Sequence, residues 1–138
     1  MQDCIFCRII RKELPSVAVY ETETIYAFLD IAPIAQGHVL VIPKEHHPSL
    51  WEVPDELGAS LHQAWREVGR AVLSATQATG LNVVMNNYPS AGQVVPHAHW
   101  HLIPRHDGDG LLRVVQGEYE SQNIMQELAG KIRTALGQ

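Results

Sequence analysis

Three histidines stand at alternate positions in the second half of this 138-residue chain. His97, His99 and His101 are separated by the apolar residues Ala98 and Trp100. Alternation at period two is typical of a β-strand, so we expect the three imidazoles on one face and the apolar side chains on the other, toward a core. An imidazole buried without partners is costly, so packing alone does not explain three of them. The pattern therefore indicates a site of chemistry.

Two kinds of chemistry suit such a strand. Imidazole is the commonest protein ligand for zinc. With an ordinary pKa of about 6.5, it is also largely neutral at pH 7 and has a lone pair that can attack phosphorus. Flanking histidines would then donate hydrogen bonds to the phosphoryl oxygens, as would backbone N–H groups of the preceding segment 91–93. Same-face positions on a strand lie ~6.5 to 7 Å apart, which makes a zinc site built from all three awkward.

The composition limits the classes of partner. A net charge of −5 argues against a protein that binds nucleic acid through its whole surface, but allows a small anionic ligand. No apolar stretch approaches the ~20 residues needed to cross a bilayer, and the first residues lack the basic leader of a signal peptide. We therefore expect no nucleic-acid or membrane partner. With two cysteines there is no disulfide framework, and we expect a cytoplasmic location.

The spacing of apolar residues predicts an α+β fold with a mostly antiparallel sheet. The one long helix is expected to open at Pro54 and stop at Gly80, with Trp65 on its core-facing stripe. The other predicted elements are a short helix within 3–12, a hairpin of 17–21 and 24–30, strands at 38–43 and 81–86, a strand bracketed by Pro96 and Pro104, and a helix at 121–136.

Cys4 and Cys7 form a Cys-x-x-Cys pair at the predicted start of the first helix. This spacing suits one metal ion, but two thiolates do not complete a tetrahedral zinc site, so histidines such as His46 would have to join them. The alternatives are two packed reduced thiols or a redox pair. His62 and His106 are expected to be surface residues.

The segment His97–Ile103 resembles the His-φ-His-φ-His-φ-φ motif of the histidine triad family of nucleotide hydrolases and transferases. Four further segments resemble that family in the same order along the chain. They are Cys4–Ile10, Ala27–Ile31, Gly37–Lys44 and Asn86–Gln93.

This resemblance implies an overall architecture. Residues 4–105 would form the histidine triad domain, an antiparallel sheet of about five strands with one long helix and short terminal helices. Residues 106–138 would form a variable C-terminal extension packed on the same domain. Family members are usually homodimers whose sheets join edge to edge, so a homodimer with a continuous sheet is expected.

The resemblance also implies residue roles in a nucleotide phosphoramidase or nucleotidyl hydrolase. His99 would attack the α-phosphorus of a purine nucleotide conjugate and hold the nucleotidyl group covalently. His101 and His38 would lie around the phosphate, and His97 would orient its neighbours. Asp30 would accept hydrogen bonds from the ribose hydroxyls. The remaining nucleotide-binding residues would be Phe6, Phe28 and Ile31 around the base, and Asn86, Gly92 and Gln93 near the phosphate.

Some bacterial members are similar in having this cysteine pair together with a histidine at the position of His46. By that resemblance, a structural Zn²⁺ is expected on Cys4, Cys7, His46 and His97, and no cofactor is needed for the chemical step. Phe28 and Ile31 have an alternative interpretation as core residues, and Asp30 as a loop cap.

Two positions depart from the family pattern. Where many members have glycine after the paired asparagines, this chain has Tyr88-Pro89, and where one branch has serine it has Val94. Val94 offers no hydroxyl to a leaving-group oxygen. Two alternatives therefore stay open beside the phosphoramidase: a dinucleoside polyphosphate hydrolase and a non-catalytic nucleotide sensor.

Overall fold

A computed structural model describes residues 3–137, in which a five-stranded antiparallel sheet lies between one long helix and a short amino-terminal helix. The predicted α+β fold is confirmed. The strand order is β1-β2-β3-β5-β4, and each neighbouring pair is antiparallel. The elements are α1 Ile5–Ile10, β1 Ala18–Glu21, β2 Ile25–Leu29, β3 Val39–Pro43, α2 Gly58–Thr76, β4 Gly80–Met85, β5 Trp100–Arg105 and α3 Gln122–Ala135.

Alternate residues of the central strands fill two cores, one on each face of the sheet. In β2, Ile25 packs on the α2 side, whereas Tyr26 packs on the α1 side. Trp100 and Leu102 of β5 belong to the α2-side core, as the alternation predicts. Because successive side chains of a strand point to opposite faces, His101 lies on the α1 side. The sheet thus separates the long helix from the histidines.

The long helix differs from its predicted bounds at both ends. A 3₁₀ turn at Asp55–Leu57 precedes the first α-helical residue, Gly58. At the other end the helix stops before Gly80, because Gln77 adopts a left-handed conformation with φ of 56° and donates its N–H to the Leu73 carbonyl. A left-handed residue at this position satisfies an otherwise unpaired carbonyl. Gly80 is instead the first residue of β4.

β5 is shorter than predicted, because its pairing begins only at Trp100. His97–His99 lie outside the ladder, and Ala98 N–H donates to the His47 carbonyl over 2.6 Å. Pro104 lies inside β5 rather than at its end. It is opposite Leu81 of β4, beyond the last residue pair between β3 and β5, so on the β3 side no ladder bond is lost there.

The loop after β5 is closed by a clamp centred on Arg105. Its guanidinium donates to both carboxylate oxygens of Asp109 over 2.9 and 2.6 Å, to Asn82 Oδ1 over 2.8 Å and to the Leu111 carbonyl over 2.7 Å. This ion pair lowers the pKa of Asp109 well below its usual range. Asp109 also accepts the backbone N–H groups of His106 and Leu111. The clamp therefore orders residues 105–111.

Beyond the clamp, the chain continues into α3, whose N-cap Ser121 accepts the backbone N–H of Ile124. None of the side chains of α3 is buried. The packing of this extension on the domain therefore stays a prediction. No helix within residues 3–137 is long and apolar enough to span a membrane.

Candidate functional site

Four histidines meet on the α1 side of the sheet. The ring of His101 lies 5.0 Å from that of His99 and 5.1 Å from that of His38, which immediately precedes β3. The ring of His97 is directed instead toward Cys4 and Cys7. The triad motif therefore brings His99 and His101 together with His38, while His97 belongs to a second cluster.

The hydrogen bond made by His99 fixes its tautomer. Its Nδ1 lies 2.7 Å from the backbone carbonyl oxygen of His97. A carbonyl only accepts, so Nδ1 bears the hydrogen and Nε2 is left with the lone pair. Burial lowers the pKa of His99, because a charged imidazolium is poorly solvated there. At neutral pH, His99 is therefore a neutral base with its Nε2 available as a nucleophile.

A second chain of bonds orients His101. The backbone N–H of Ile34 donates to His38 Nδ1 over 3.1 Å, so the hydrogen of His38 is on Nε2. The Nε2–H of His38 donates to His101 Nδ1 over 2.9 Å. Because Nδ1 of His101 accepts this bond, the hydrogen of the His101 ring is on its Nε2. Burial, together with the neighbouring His99 and His38, lowers the pKa of His101 to about 4. His101 is thus a neutral hydrogen-bond donor.

The amino-terminal cysteines and two histidines form a cluster with the geometry of a zinc site. His97 Nδ1 lies 3.5 Å from Cys4 Sγ, 3.7 Å from Cys7 Sγ and 3.2 Å from His46 Nδ1, and Cys7 Sγ lies 3.3 Å from His46 Nδ1. Zinc–ligand bonds of ~2.0 to 2.3 Å in a tetrahedron place donor atoms ~3.3 to 3.8 Å apart. The four predicted ligands therefore come together at suitable separations.

The protonation of the cluster also suits a metal ion. His97 is fully buried, and its Nε2–H donates to the Pro43 carbonyl over 2.8 Å, which leaves the Nδ1 lone pair facing the cysteines. Burial lowers the pKa of His97 to about 4. A neutral imidazole and two cysteine sulfurs are a donor set that Zn²⁺ prefers. The residues present therefore fit the expected Zn²⁺.

A second group, Asp30, His38 and His101, also offers ligand atoms at metal-binding separations. However, the Nε2 of His38 bears a hydrogen, because its Nδ1 accepts from Ile34. This group is therefore better described as a hydrogen-bonded relay. Within residues 3–137, neither group of potential metal ligands includes all three triad histidines, which argues against a zinc site made from the triad alone.

An apolar cavity of about 340 Å³ lies on the α1 side of the sheet, and Phe6 in its wall contacts His99. Phe6 contacts the His99 ring edge-on with 5.2 Å between ring centroids, and Phe28 lies 5.5 Å from Phe6. Phe28 is both a core residue and part of the cavity wall. The interpretation of Ile31 as core is wrong, since it lines this cavity and is 97% exposed. The other lining residues are Ile5, Ile9, Leu14, Pro15, Ser16, Leu29, Asp30, Leu40 and Val95.

Asp30 lies between the cavity and the histidines. One carboxylate oxygen accepts the Ala32 N–H over 2.9 Å, so Asp30 does cap its loop. The other oxygen lies 3.7 Å from His38 Nε2. The two interpretations of Asp30 are therefore compatible, because the cap uses one oxygen and the second faces the site.

The loop before the triad is closed by its own hydrogen bonds. The N–H groups of residues 91–93 all donate to carbonyls of Tyr88 or Pro89, so in this structure they are occupied within the loop, and their binding to phosphoryl oxygens stays a prediction. The Gln93 side chain is equally occupied, because it accepts from the Tyr88 N–H and donates to the Pro48 and Val95 carbonyls. Gln93 therefore acts within the loop.

Asn86 begins this loop and carries a side-chain amide that can donate hydrogen bonds. A Cβ atom at Gly92 would lie 3.5 Å from Asn86 Nδ2, so glycine leaves room beside the amide, and Gly92 has a positive φ of 98°. Sequence reasoning missed the backbone groups that orient the histidines, namely the N–H of Ile34 and the carbonyls of Pro43 and His97. No side-chain pattern marks such groups.

Comparison with known proteins agrees with this geometry. The HIT domain profile matches residues 11–108. Protein hit of Bacillus subtilis is 39% identical over 141 residues, covering 97% of each chain. Adenosine 5'-monophosphoramidase hnt1 of Schizosaccharomyces pombe is 37% identical over 135 residues, covering 94% of this chain and 98% of that protein.

Among solved structures, a Zn-bound histidine triad family protein from Mycobacterium smegmatis superposes with a TM-score of 0.76 at 33% identity, covering 97% of this chain and 98% of that one. The family profile spans most of the chain, and the triad histidines and the strand order agree with it. This chain therefore belongs to the HIT domain family.

Proposed function

We propose that this protein is a nucleotide phosphoramidase that cleaves at the α-phosphate of a purine nucleotide conjugate through a covalent nucleotidyl group on His99. The observation that supports this most is the tautomer of His99, whose Nε2 lone pair is free while Nδ1 is bound to the His97 carbonyl. Relatives named adenosine 5'-monophosphoramidases support the same reaction class, that of a nucleotide hydrolase.

The nucleotide would bind with its base in the apolar cavity and its phosphate at the histidines. Aromatic walls at Phe6 and Phe28 suit a flat base, and Ile31 at the mouth is exposed enough to cover it. The free carboxylate oxygen of Asp30 would accept a ribose hydroxyl. Asn86 would donate to a phosphoryl oxygen. In this pose the α-phosphorus would lie near His99, a placement supported by Phe6, which lines the cavity and contacts the His99 ring.

The chemistry follows from the hydrogen positions. His99 Nε2 forms a bond to the α-phosphorus as the bond from phosphorus to the leaving amine breaks, and the amine takes a proton from water. His101 donates its Nε2–H to a phosphoryl oxygen and stabilises the negative charge that develops there. Water then attacks the nucleotidyl-histidine, releases the nucleoside monophosphate and restores neutral His99.

Trapping the intermediate tests this function. On mixing with an adenosine phosphoramidate and quenching, we expect an adenylylated protein whose label maps to His99. His99→Ala should abolish turnover and labelling while AMP binding stays measurable, because the apolar cavity is unchanged. His62→Ala is the matched control, since His62 is exposed on the other side of the sheet. Full turnover by His99→Ala would disprove the mechanism.

Two alternative functions are separated by the same assay. A dinucleoside polyphosphate hydrolase would turn over diadenosine polyphosphates faster than phosphoramidates. A nucleotide sensor would bind AMP but give no trapped nucleotidyl protein. Val94 motivates both, because it is 89% exposed and supplies no hydroxyl to a leaving group. Relatives named adenosine 5'-monophosphoramidases favour the phosphoramidase among the three.

The proposal includes a resident metal and a second subunit. Zn²⁺ on Cys4, Cys7, His46 and His97 would supply a structural cross-link between α1 and the triad segment, without entering the chemical step. A homodimer with its sheets joined through the edge strand β4 fits the strand order. Reduced metal-binding thiols agree with a cytoplasmic location.

A further inference from the structure

His97 contacts both the metal-ligand cluster and the proposed nucleophile, His99. Its ring Nδ1 faces the sulfurs of Cys4 and Cys7, and its backbone carbonyl accepts the Nδ1–H of His99. The first contact uses the side chain and the second uses the main chain. Whatever fixes the side chain of His97 therefore also influences the group that sets the tautomer of His99.

The sheet does not hold this carbonyl in place. β5 begins at Trp100, so residues 97–99 have no ladder bonds. Their backbone is fixed by the His97 N–H bond to the Val95 carbonyl and the Ala98 N–H bond to the His47 carbonyl. A short segment outside regular secondary structure, with so few main-chain bonds, can rotate its peptide planes at modest cost. The anchored side chain of His97 is thus a main restraint on its carbonyl.

Ligation would join the three segments that surround His99. The ligands Cys4 and Cys7 belong to the start of α1, His46 belongs to the loop after β3, and His97 belongs to the triad segment. Phe6, between the two cysteines, contacts the rings of both His97 and His99 edge-on. Without a metal ion, the cluster consists only of thiols and imidazoles at hydrogen-bonding distance. Such contacts are weaker than metal–ligand bonds, and the segments would separate more easily.

We propose that metal ligation of His97 positions His99, so that the metal ion holds the nucleophile in its Nδ1–H tautomer in addition to stabilising the fold. His97 is then a positioning residue that acts through its carbonyl. The kinetic part of this inference rests on the proposed function of His99, whereas the structural part does not.

Long-range ¹H–¹⁵N NMR spectra of the full chain labelled with ¹⁵N-histidine test the structural part. The spectra are compared for Zn²⁺-loaded protein and for protein treated with a strong chelator. We expect a single Nδ1–H tautomer of His99 when Zn²⁺ is bound and a mixture of tautomers after its removal. A His99 tautomer that is unchanged by metal removal would overturn the proposal.

Acid-quench labelling on the same samples tests the kinetic part. The rate of nucleotidyl-His99 formation should fall about 10- to 100-fold after metal removal, a range typical of lost supporting contacts around an active site. The affinity for AMP is measured in parallel, because Ile5 and Phe6 lie between Cys4 and Cys7 and also line the apolar cavity, and the labelling rates are compared at saturating phosphoramidate. Equal rates with and without Zn²⁺ would contradict positioning while leaving the proposed function intact. Loaded protein with the expected tautomer but no labelling would contradict the function alone.

A second variant covers the case in which chelation unfolds the chain. His46→Gln keeps both cysteines and His97 but removes a half-buried ligand, so metal is released at lower chelator concentration. Circular dichroism verifies that the variant is folded. Mixed tautomers that become single as Zn²⁺ is added back would support the proposal. A single tautomer at every Zn²⁺ concentration would overturn it.

Discussion

The position of one hydrogen atom defines what each histidine of the site can do. His99 has its hydrogen on Nδ1 and His101 on Nε2, so one ring attacks and the other donates. Protonation of His99 at Nε2 would remove the attacking lone pair. Burial disfavours this imidazolium, because the charge loses its hydration. The chemical competence of the site should therefore extend into mildly acidic solution.

The pH dependence of kcat/KM tests this consequence at the residue scale. Since burial lowers the pKa of His99 below the ordinary value of 6.5, the neutral form persists as the pH falls through 6.5. We expect kcat/KM to stay level there and to decline only at more acidic pH. Initial rates with an adenosine phosphoramidate, corrected for uncatalysed hydrolysis in the same buffers, give the profile. An acid limb centred at or above pH 6.5 would contradict it.

Tyr88 has a backbone conformation that suits glycine. Its φ of 74° and ψ of 156° lie in a region where side chains are strained. The Tyr88 N–H donates to Gln93 Oε1, and the Tyr88 carbonyl accepts the backbone N–H of Gln93, so these two bonds hold Tyr88 in this conformation. The loop therefore stores strain in this chain.

We expect Tyr88→Gly to raise the free energy of unfolding by about 1 kcal/mol, because relief of strain exceeds the entropy that glycine adds to the unfolded chain. Chemical denaturation measures the change. The control is Tyr119→Gly, since Tyr119 is similarly exposed but has no positive φ, and it should lose stability slightly. A loss of stability in Tyr88→Gly equal to the control would refute the strain.

At the scale of elements, the sequence predicts β2 and β3 well and the start of β5 poorly. Alternating apolar residues and turn-forming flanks mark strands locally. The start of β5 depends instead on long-range partners, since its first residue, Trp100, pairs with Met85 at the end of β4, and Ala98 bonds to the loop at His47. Such long-range partners have no local signature, so the alternation runs on into a segment that is not a strand.

The members of the candidate site were predictable from the sequence, but the role of each histidine was not. Side chains of fixed chemistry and spacing, such as the cysteine pair and the triad, identify its members. Spacing alone does not predict which histidine attacks, donates or binds metal. Backbone groups of Ile34, Pro43 and His97 determine which ring nitrogen bears the hydrogen. Those groups are the same in every residue.

The turn that delivers His38 approaches α2 closely. Gly37 has a φ of 96°, and a Cβ atom there would lie 2.6 Å from the Thr76 methyl group on the last turn of the helix. Gly37→Ala should therefore lower the free energy of unfolding by about 3 kcal/mol, from overpacking together with backbone strain. Thermal and denaturant unfolding measure this.

Two further variants separate the overpacking from the strain at Gly37. Thr76→Ser removes the methyl group and keeps the hydroxyl bond to the Val72 carbonyl, so Gly37→Ala in that background should cost only about 1 to 2 kcal/mol. Gly108→Ala has a similar φ of 72° and no neighbour within 4 Å, so it reports strain alone. An undiminished cost in the Thr76→Ser background would exclude the contact as the cause.

At the scale of the whole molecule, the large apolar side chains of α3 are exposed in the described part of the protomer, and none is buried. A helix of 14 residues is marginal by itself in water, so its apolar face is expected to be covered. A homodimer would provide that cover. The large apolar side chains exposed on and just after this helix are Ile124, Met125, Leu128, Ile132 and Leu136.

Substitution on this face tests whether association covers it. We expect Leu128→Glu to weaken the dimer at least tenfold, because burying a carboxylate in an apolar interface is costly. Gln126→Glu adds the same charge on the opposite side of α3 and should leave the dimer unchanged. Sedimentation equilibrium measures both. Equal dimer affinities for the two variants would exclude this face from the interface.

The clamp of Arg105 on Asp109 and Leu111 has a practical consequence for engineering. All of its hydrogen bonds involve residues before 112. No side chain from residue 112 onward in the described chain is buried. The segment after Leu111 is thus a natural exchange point. A fluorescent label, an affinity tag or the tail of a relative could be joined there without rebuilding the nucleotide cavity, which makes the tail a replaceable module.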